Sequence, residues 1–329
     1  MNNELLQGVI AALQGSASTN FSATDVNDAA ISAILKAAGL PENPSPRQLR
    51  DNERAIFSII EESVDEILPR KLEGVLGNYA EVKTFARDAE VVFNIEKIGK
   101  TRAKLTISKG ARGGIYRAAR LGSKYFAPST EVYTVAVYVT LEELILGTMS
   151  LAELFNNILE GFQEVVYKET FNALAAGSSA SGKDAIKPTD TSDLTAALEE
   201  VLPLVKQYGV PTIFGSYKTL STIYNPATQI APNLMDAQDV RNYGHVQMYK
   251  GTAVVELPNY LVADNTWAYD ENVVFVIPAG AKPVKVALKG ELEIVRNTQA
   301  VGSEKWEAHK IMGVGLAMAN NYAVIKVSK

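Results

Sequence analysis

Cysteine is absent from the 329 residues, which removes disulfide frameworks, thiolate metal sites and cysteine nucleophiles. Histidine is nearly absent as well. The two present, His245 and His309, lie far apart in the chain, so neither a His-x-x-x-His zinc site nor an imidazole cluster can be written. No run of eighteen apolar residues exists, and no membrane-spanning helix is expected. The start, Met1-Asn-Asn-Glu-Leu-Leu, lacks the positive region and small-residue cleavage site of a secretory signal, so the expectation is a soluble protein made in the cytosol. What is present is a 47% hydrophobic, 21% charged chain, which excludes wholesale disorder and is long enough for one large domain or two medium ones.

The net charge of -5 hides a sharp division. Residues 1–96 carry 8 basic and 15 acidic groups, and residues 131–329 carry 15 basic and 22 acidic. Between them, residues 97–130 hold nine basic groups and no acid: Lys97, Lys100, Arg102, Lys104, Lys109, Arg112, Arg117, Arg120 and Lys124. Such a block fits a nucleic-acid patch, since clustered cations neutralise phosphates. It equally fits a segment that meets acidic surface on a second copy of the same chain, or a solvated hairpin whose charges protect an exposed edge. Composition alone does not separate the three.

Along the chain, two short helical patterns, Leu5 to Leu13 and the Asp25-led stretch to Leu35, precede the breaker Leu40-Pro-Glu-Asn-Pro-Ser-Pro46 and read as an arm lying on something else. An amphipathic helix is expected from Arg47 until Leu68-Pro69 interrupts it. Residues 80–140 switch to period-two alternation, as in Phe93/Ile95 and Tyr133/Val135/Val137, and the glycine-rich basic stretch from Lys109 to Gly122 reads as the tip of a long hairpin. The strongest helix signal follows, with a Ser150-x-x-Glu153 capping box, an apolar stripe through Phe155, Ile158, Phe162, Val166 and Phe171, and Gly177 as terminator. A helix from Leu194 to Tyr208 and strands at Val210–Gly215, Gly251–Leu257 and Asn272–Pro278 imply helices on a mixed sheet. Terminal strands are expected at Val284–Leu288, Leu292–Arg296 and Ala323–Val327. The last is expected to join the sheet beside the long helix.

Several motifs tempt. Gly177-Ser-Ser-Ala-Ser-Gly182-Lys183 matches part of a phosphate-binding loop, but Asp184 replaces the hydroxyl that would hold magnesium, a helix precedes it where a strand should, and Pro188 blocks the following helix. Gly313-Val-Gly315 is better explained by close strand packing than by dinucleotide binding. The adjacent pairs Glu61-Glu62, Glu142-Glu143 and Glu199-Glu200 do not share a helix face and read as solvated. His309 reads as a partly exposed strand or turn residue. No catalytic residue, cofactor-binding residue, cofactor or metal ligand is expected, and the chain does not read as an enzyme.

The order of these elements resembles that of the major capsid proteins of tailed double-stranded DNA bacteriophages, the α+β Hong Kong 97-type fold. The extended loop matches Glu81 to Glu131, the spine helix Ser150 to Gly177, the axial domain Ser192 to Gly280, and the peripheral domain is completed by Lys282 to Lys329. The resemblance implies an N-terminal arm with helices (1–79), an extended basic loop (80–131), a peripheral domain in two parts (132–191 and 282–329) and an axial domain (192–281). It further implies self-assembly into pentamers and hexamers of an icosahedral shell enclosing double-stranded DNA without sequence-specific binding. Portal and scaffolding or decoration proteins are the implied partners, no membrane is involved, and the protein resides in the virion after assembly in the host cytoplasm. The nine basic residues would then be inter-subunit contacts. Some relatives join a loop lysine to a neighbour's asparagine, but no spacing here supports that. The alternatives are an encapsulin-like nanocompartment shell and a nucleic-acid-binding protein that uses the basic loop directly.

Overall fold

The computed structural model describes residues 32–41, 44–95, 124–138, 151–177, 185–189, 192–223, 234–259, 261, 266–300, 303–317 and 321–328. Residues 32–37 are helical and end on Gly39 at φ +74. Leu40 N–H reaches Leu35 O (2.8 Å) and Gly39 N–H reaches Lys36 O (3.1 Å), a paired closure that needs a left-handed residue at Gly39. Ile34 and Leu35 are buried, so this part of the arm lies on the body of its own subunit. Helix α1, Pro46–Asp51, follows with a capping box between Ser45 and Gln48 and proline in the first turn.

Helix α2 runs Glu53–Leu76 straight through Pro69, where the sequence suggested a break. Proline removes one backbone bond and crowds the preceding turn. The helix survives because Ile60, Val64, Ile67, Leu68, Leu72 and Leu76 are all buried on one face, on both sides of the proline. Burying a side chain of this size contributes about 1.5–3 kcal/mol, so together they outweigh the loss of about 3 kcal/mol.

A four-stranded sheet lies under α2. Its order is β1 (Ala80–Phe85), β9 (Val284–Ala300), β10 (Ser303–Leu316) and β4 (Glu131–Tyr138); β1 pairs parallel to β9 and the others are antiparallel. The two terminal strands expected at 284–288 and 292–296 are one continuous β9, and β10 was missed because Gly313 and Gly315 weaken its strand signal. Helix α3, Leu151–Ala176, packs beside α2 over β10 and β4. Gly161 admits Val135, whose methyl carbons would lie 3.1 Å from an added Cβ. Ser150, half of the expected capping box, lies outside the described residues.

The opposite face of this sheet carries β2 (Phe93–Ile95) and β3 (Lys124–Phe126), an antiparallel pair joining Phe93 to Phe126. Phe93 is fully buried against Ala287, with Phe85 edge-on at 5.5 Å.

A second, five-stranded sheet has the order β11 (Ala323–Lys326), β8 (Val273–Pro278), β5 (Pro211–Gly215), β7 (Thr252–Glu256) and β6 (Met248–Tyr249). Helix α4, Leu194–Val205, capped by Asp193, covers one face through Leu198, Val201 and Val205, which pack with Val274 and Val276. The alternate residues Val273, Phe275 and Ile277 turn the other way, into the core shared with α3. Every residue of β8 is therefore buried, which explains its unbroken apolar run. The short helices α5 (Tyr217–Leu220) and α6 (Leu234–Tyr243) complete this half. The final strand departs from expectation, since β11 pairs antiparallel with β8 and not with the sheet beside the long helix. Its residues Ala323 and Ile325 fill the α4 core while Val324 joins the shared core, a two-sided burial that a sheet with one partly open face could not offer.

Phe171 stands where the two sheets meet. Its ring lies 4.6 Å from Tyr167, 4.7 Å from Tyr269, 5.5 Å from Tyr79 and 6.0 Å from Phe275.

Candidate assembly surfaces

Of the nine basic candidates, Lys97, Lys100, Arg102, Lys104, Lys109, Arg112, Arg117 and Arg120 lie outside the described residues. Lys124 begins β3, with its backbone opposite Ile95. What is visible is the root from which this segment leaves. Gly313 and Gly315 face the root from β10, in register with Ala287 and Lys285 of β9. An added Cβ at Gly313 would lie 2.5 Å from Ser129 O, and one at Gly315 would lie 2.8 Å from the Phe126 ring. The paired glycines are a seat for residues 126–130, which is the close packing expected for them. The root is thus fixed by strand pairing, by the buried Phe93 with the partly buried Phe85 against it, and by glycines that let it touch the sheet.

Beside the root, a cross-strand pair joins Glu81 of β1 to the buried Lys285 of β9, and Lys83 also reaches Glu81 (2.5 Å). Burial pushes the Glu81 carboxyl up, but the hydrogen bonds from both lysines hold it below its ordinary value.

On the helix side, β9 outruns β1, whose register ends at Lys289. The exposed edge beyond is closed by side chains of α2: Leu292 N–H donates to Asp65 Oδ2 (2.8 Å) and Ile294 N–H to Glu61 Oε1 (2.6 Å). The spacing matches, because four residues of helix rise about 6 Å and two residues of strand about 6.6 Å. Asp65 also accepts from the buried Lys310 ammonium (2.6 Å), which in turn donates to Gly290 O (2.5 Å). Glu61 is therefore a structural cap and not the solvated residue its sequence context suggested. Its carboxyl is raised by burial first and then by Asp65, Glu293 and Glu291, against the lowering effect of the Ile294 bond. No sequence signal marked this cap, which depends on the register of a strand more than two hundred residues away.

Beside the cap lies a groove of about 890 Å³ whose lining includes Asp51, Arg54, Phe57, Ile294 and Trp306, and a smaller recess that shares Ser58 and Glu61 with it is lined further by Glu62, Asp65 and Glu291. Phe57 and Trp306 stack at 4.1 Å.

The remaining candidates are dispersed. Glu199 pairs with Lys250 (2.5 Å), while Glu200 accepts from Thr189 N–H (2.9 Å). His309 on β10 meets Thr134 (2.8 Å), and His245 is buried with Nδ1 3.0 Å from Val246 O. Glu142, Glu143 and the loop 178–184 lie outside the described residues. Among the described residues there is no cluster of three metal-ligating side chains and no helix long and apolar enough to cross a membrane.

The family model described as "SPbeta prophage-derived putative capsid protein YonB" matches residues 5–326. Among curated proteins none matches the chain. Solved structures with a similar fold include a chain of the satellite phage P4 procapsid including size determination (Sid) protein, at 11% identity over 100% of this chain and 98% of that one, with a TM-score of 0.50. The capsid structure of cyanophage P-SCSP1u is similar at 10% identity over 77% of this chain and 88% of that one, with a TM-score of 0.52. Microbacterium phage Oxtober96 is similar at 14% identity over 77% and 90%, with a TM-score of 0.51.

Proposed function

The chain belongs to the YonB family of prophage-derived capsid proteins and has the Hong Kong 97-type capsid fold, and from that premise we propose that it closes as pentamers and hexamers into an icosahedral shell around packaged double-stranded DNA. The observation that carries the proposal is the family match over residues 5–326, nearly the whole chain. The geometry supports it. A hairpin root is fixed on one face of the four-stranded sheet, and residues 97–123, which lie in the chain between its two strands, hold basic groups and no acid. In this reading the four-stranded sheet with α3 is the peripheral domain, which β1 from the expected loop stretch 80–131 joins, the five-stranded sheet with α4 is the axial domain, which β11 from the expected peripheral stretch 282–329 joins, and the nine basic residues contact a neighbouring subunit. Portal, scaffolding and decoration proteins are further partners of such a shell, and assembly takes place in the host cytoplasm.

The encapsulin-like alternative shares the fold but is less favoured by a family of prophage-derived capsid proteins. Electron microscopy of particles purified from induced cells tests the proposal. Closed shells that protect double-stranded DNA from nuclease are expected. Shells holding a protein cargo and no DNA would move the assignment to the nanocompartment, and salt-sensitive DNA binding by a subunit that never assembles would move it to the nucleic-acid-binding alternative.

A further inference from the structure

We infer that Lys310 and Asp65 of one subunit condense to a side-chain amide that staples helix α2 to strand β10. The inference is independent of the shell proposed above, because both residues lie in the same subunit and neither belongs to the basic segment.

The backbone sets up the contact. Between β9 and β10 the register passes from Glu293 opposite His309 to Lys289 opposite Ile311, so that Gly290, Glu291 and Leu292 together face Lys310 alone. Gly290 adopts φ +70 at this irregularity. Bulges of this kind re-aim a side chain and mark sites where one is put to use. Lys310 alternates with the buried core residues Ala308 and Met312 on the helix side of β10, and is itself 4% exposed. Its Nζ stops 2.6 Å from Asp65 Oδ1 and 2.5 Å from Gly290 O.

Three features go beyond an ion pair. Gly290 O accepts one hydrogen of Nζ and so fixes the orientation of the nitrogen beside the carboxyl carbon. Leu292 N–H donates to Asp65 Oδ2 (2.8 Å), the oxygen away from the lysine, and is placed to hold negative charge that develops there. Asp65 also lines the recess beside Glu62 and Glu291, which gives a leaving water a way out while the lysine stays dry.

The step balances without any other reactant. One hydrogen of the Lys310 ammonium passes to Asp65 Oδ1, and the freed lone pair of Nζ attacks Cγ to form the C–N bond, with charge developing on Oδ2 under the Leu292 N–H. The Cγ–Oδ1 bond then breaks, Oδ1 leaves as water with a second hydrogen from the nitrogen, and Oδ2 returns to a carbonyl. The third hydrogen stays on the amide nitrogen and continues to donate to Gly290 O. Ammonium and carboxylate thus become amide and water, with nothing oxidised or reduced.

Two effects drive it. Burial penalises both ions of the pair, whereas the amide carries no charge. Free ammonium and carboxylate in water remain ions, but groups held by a fold meet at effective concentrations of up to about 10⁵–10⁸ M. In a chain without cysteine, the amide would supply the covalent restraint that a disulfide supplies elsewhere, and residues 65 and 310 bracket most of the sequence.

The test is the mass of the purified full-length protein under denaturing conditions. A chain lighter by one water than its sequence requires is expected, together with a branched tryptic peptide in which Asp65 is joined to Lys310 and no cleavage follows Lys310. The full sequence mass overturns the inference, as does a loss of water without that branched peptide. Lys310→Gln and Asp65→Ala should each restore the full mass, and a variant that remains one water short overturns the assignment to this pair. Because the first measurement uses the unaltered chain, it decides the matter whether or not the variants fold. Failure to form shells would overturn the proposed function and leave this link standing, and an unlinked chain that forms shells would do the reverse.

Discussion

At the scale of single residues, two contacts make sharp predictions. Tyr322 is buried in the core and donates to Leu174 O (2.8 Å), and its hydroxyl oxygen lies 1.9 Å from where a Cβ on Gly177 would sit. Gly177→Ala should cost about 1–3 kcal/mol by overpacking, and Tyr322→Phe about 1 kcal/mol for the lost hydrogen bond. The double variant should be less destabilised than the sum, since the phenylalanine lacks the oxygen the methyl group strikes; additive losses in urea titrations would contradict the contact. Glu61 makes the second prediction. Because its folded pKa is raised, its charge weakens the native state fully above that pKa, and the penalty fades as pH falls through the raised value toward 4.5. Glu61→Gln keeps an oxygen for Ile294 N–H and should raise the thermal midpoint near pH 7 while losing the advantage by about pH 4. Glu61→Leu leaves that N–H without its acceptor and should lose about 1–3 kcal/mol at either pH. Glu81 has the opposite sign: its lowered pKa gives stability above 4.5 that disappears as pH falls through the folded value.

At the scale of elements, α2 is the informative case. Its apolar stripe was legible in the sequence, but its length was not, because local propensity puts a stop at Pro69 and only the buried residues on both sides carry the helix on to Leu76. Pro69→Ala should restore the missing backbone donor toward Asp65 and stabilise the subunit by about 1–3 kcal/mol, measured by denaturant unfolding; a loss of stability would mean that the proline ring itself is required by the packing. The α3 stripe, by contrast, was fully readable, since one periodic face sits on one core and its end at Ala176 agrees with Gly177 as terminator. Strands were harder. β10 carries its glycines where another segment must touch the sheet, so the feature that makes it fit also conceals it from a pattern search.

At the scale of the whole molecule, the assembly proposed above would depend on many weak contacts repeated around a closed shell. Single exposed ion pairs contribute about 0.2–1 kcal/mol each, so any one charge is dispensable while the set is not. Arg117→Glu with Arg120→Glu should leave a folded, soluble subunit by circular dichroism and gel filtration yet sharply reduce closed particles in electron micrographs. Normal particles from this variant would remove the basic segment from the assembly mechanism.

The amphipathic faces of α2, α3 and α4, the alternation in several of the strands and the isolation of positive charge in one segment all follow from the sequence by itself, because each is a local property of neighbouring residues. The partner of the last strand, the continuity of β9, the seating of residues 126–130 on Gly313 and Gly315, and the capping of a strand edge by Glu61 and Asp65 were decided only by tertiary structure. Each of these joins residues far apart in the chain, and their energies depend on burial and register, which exist only once both partners are in place.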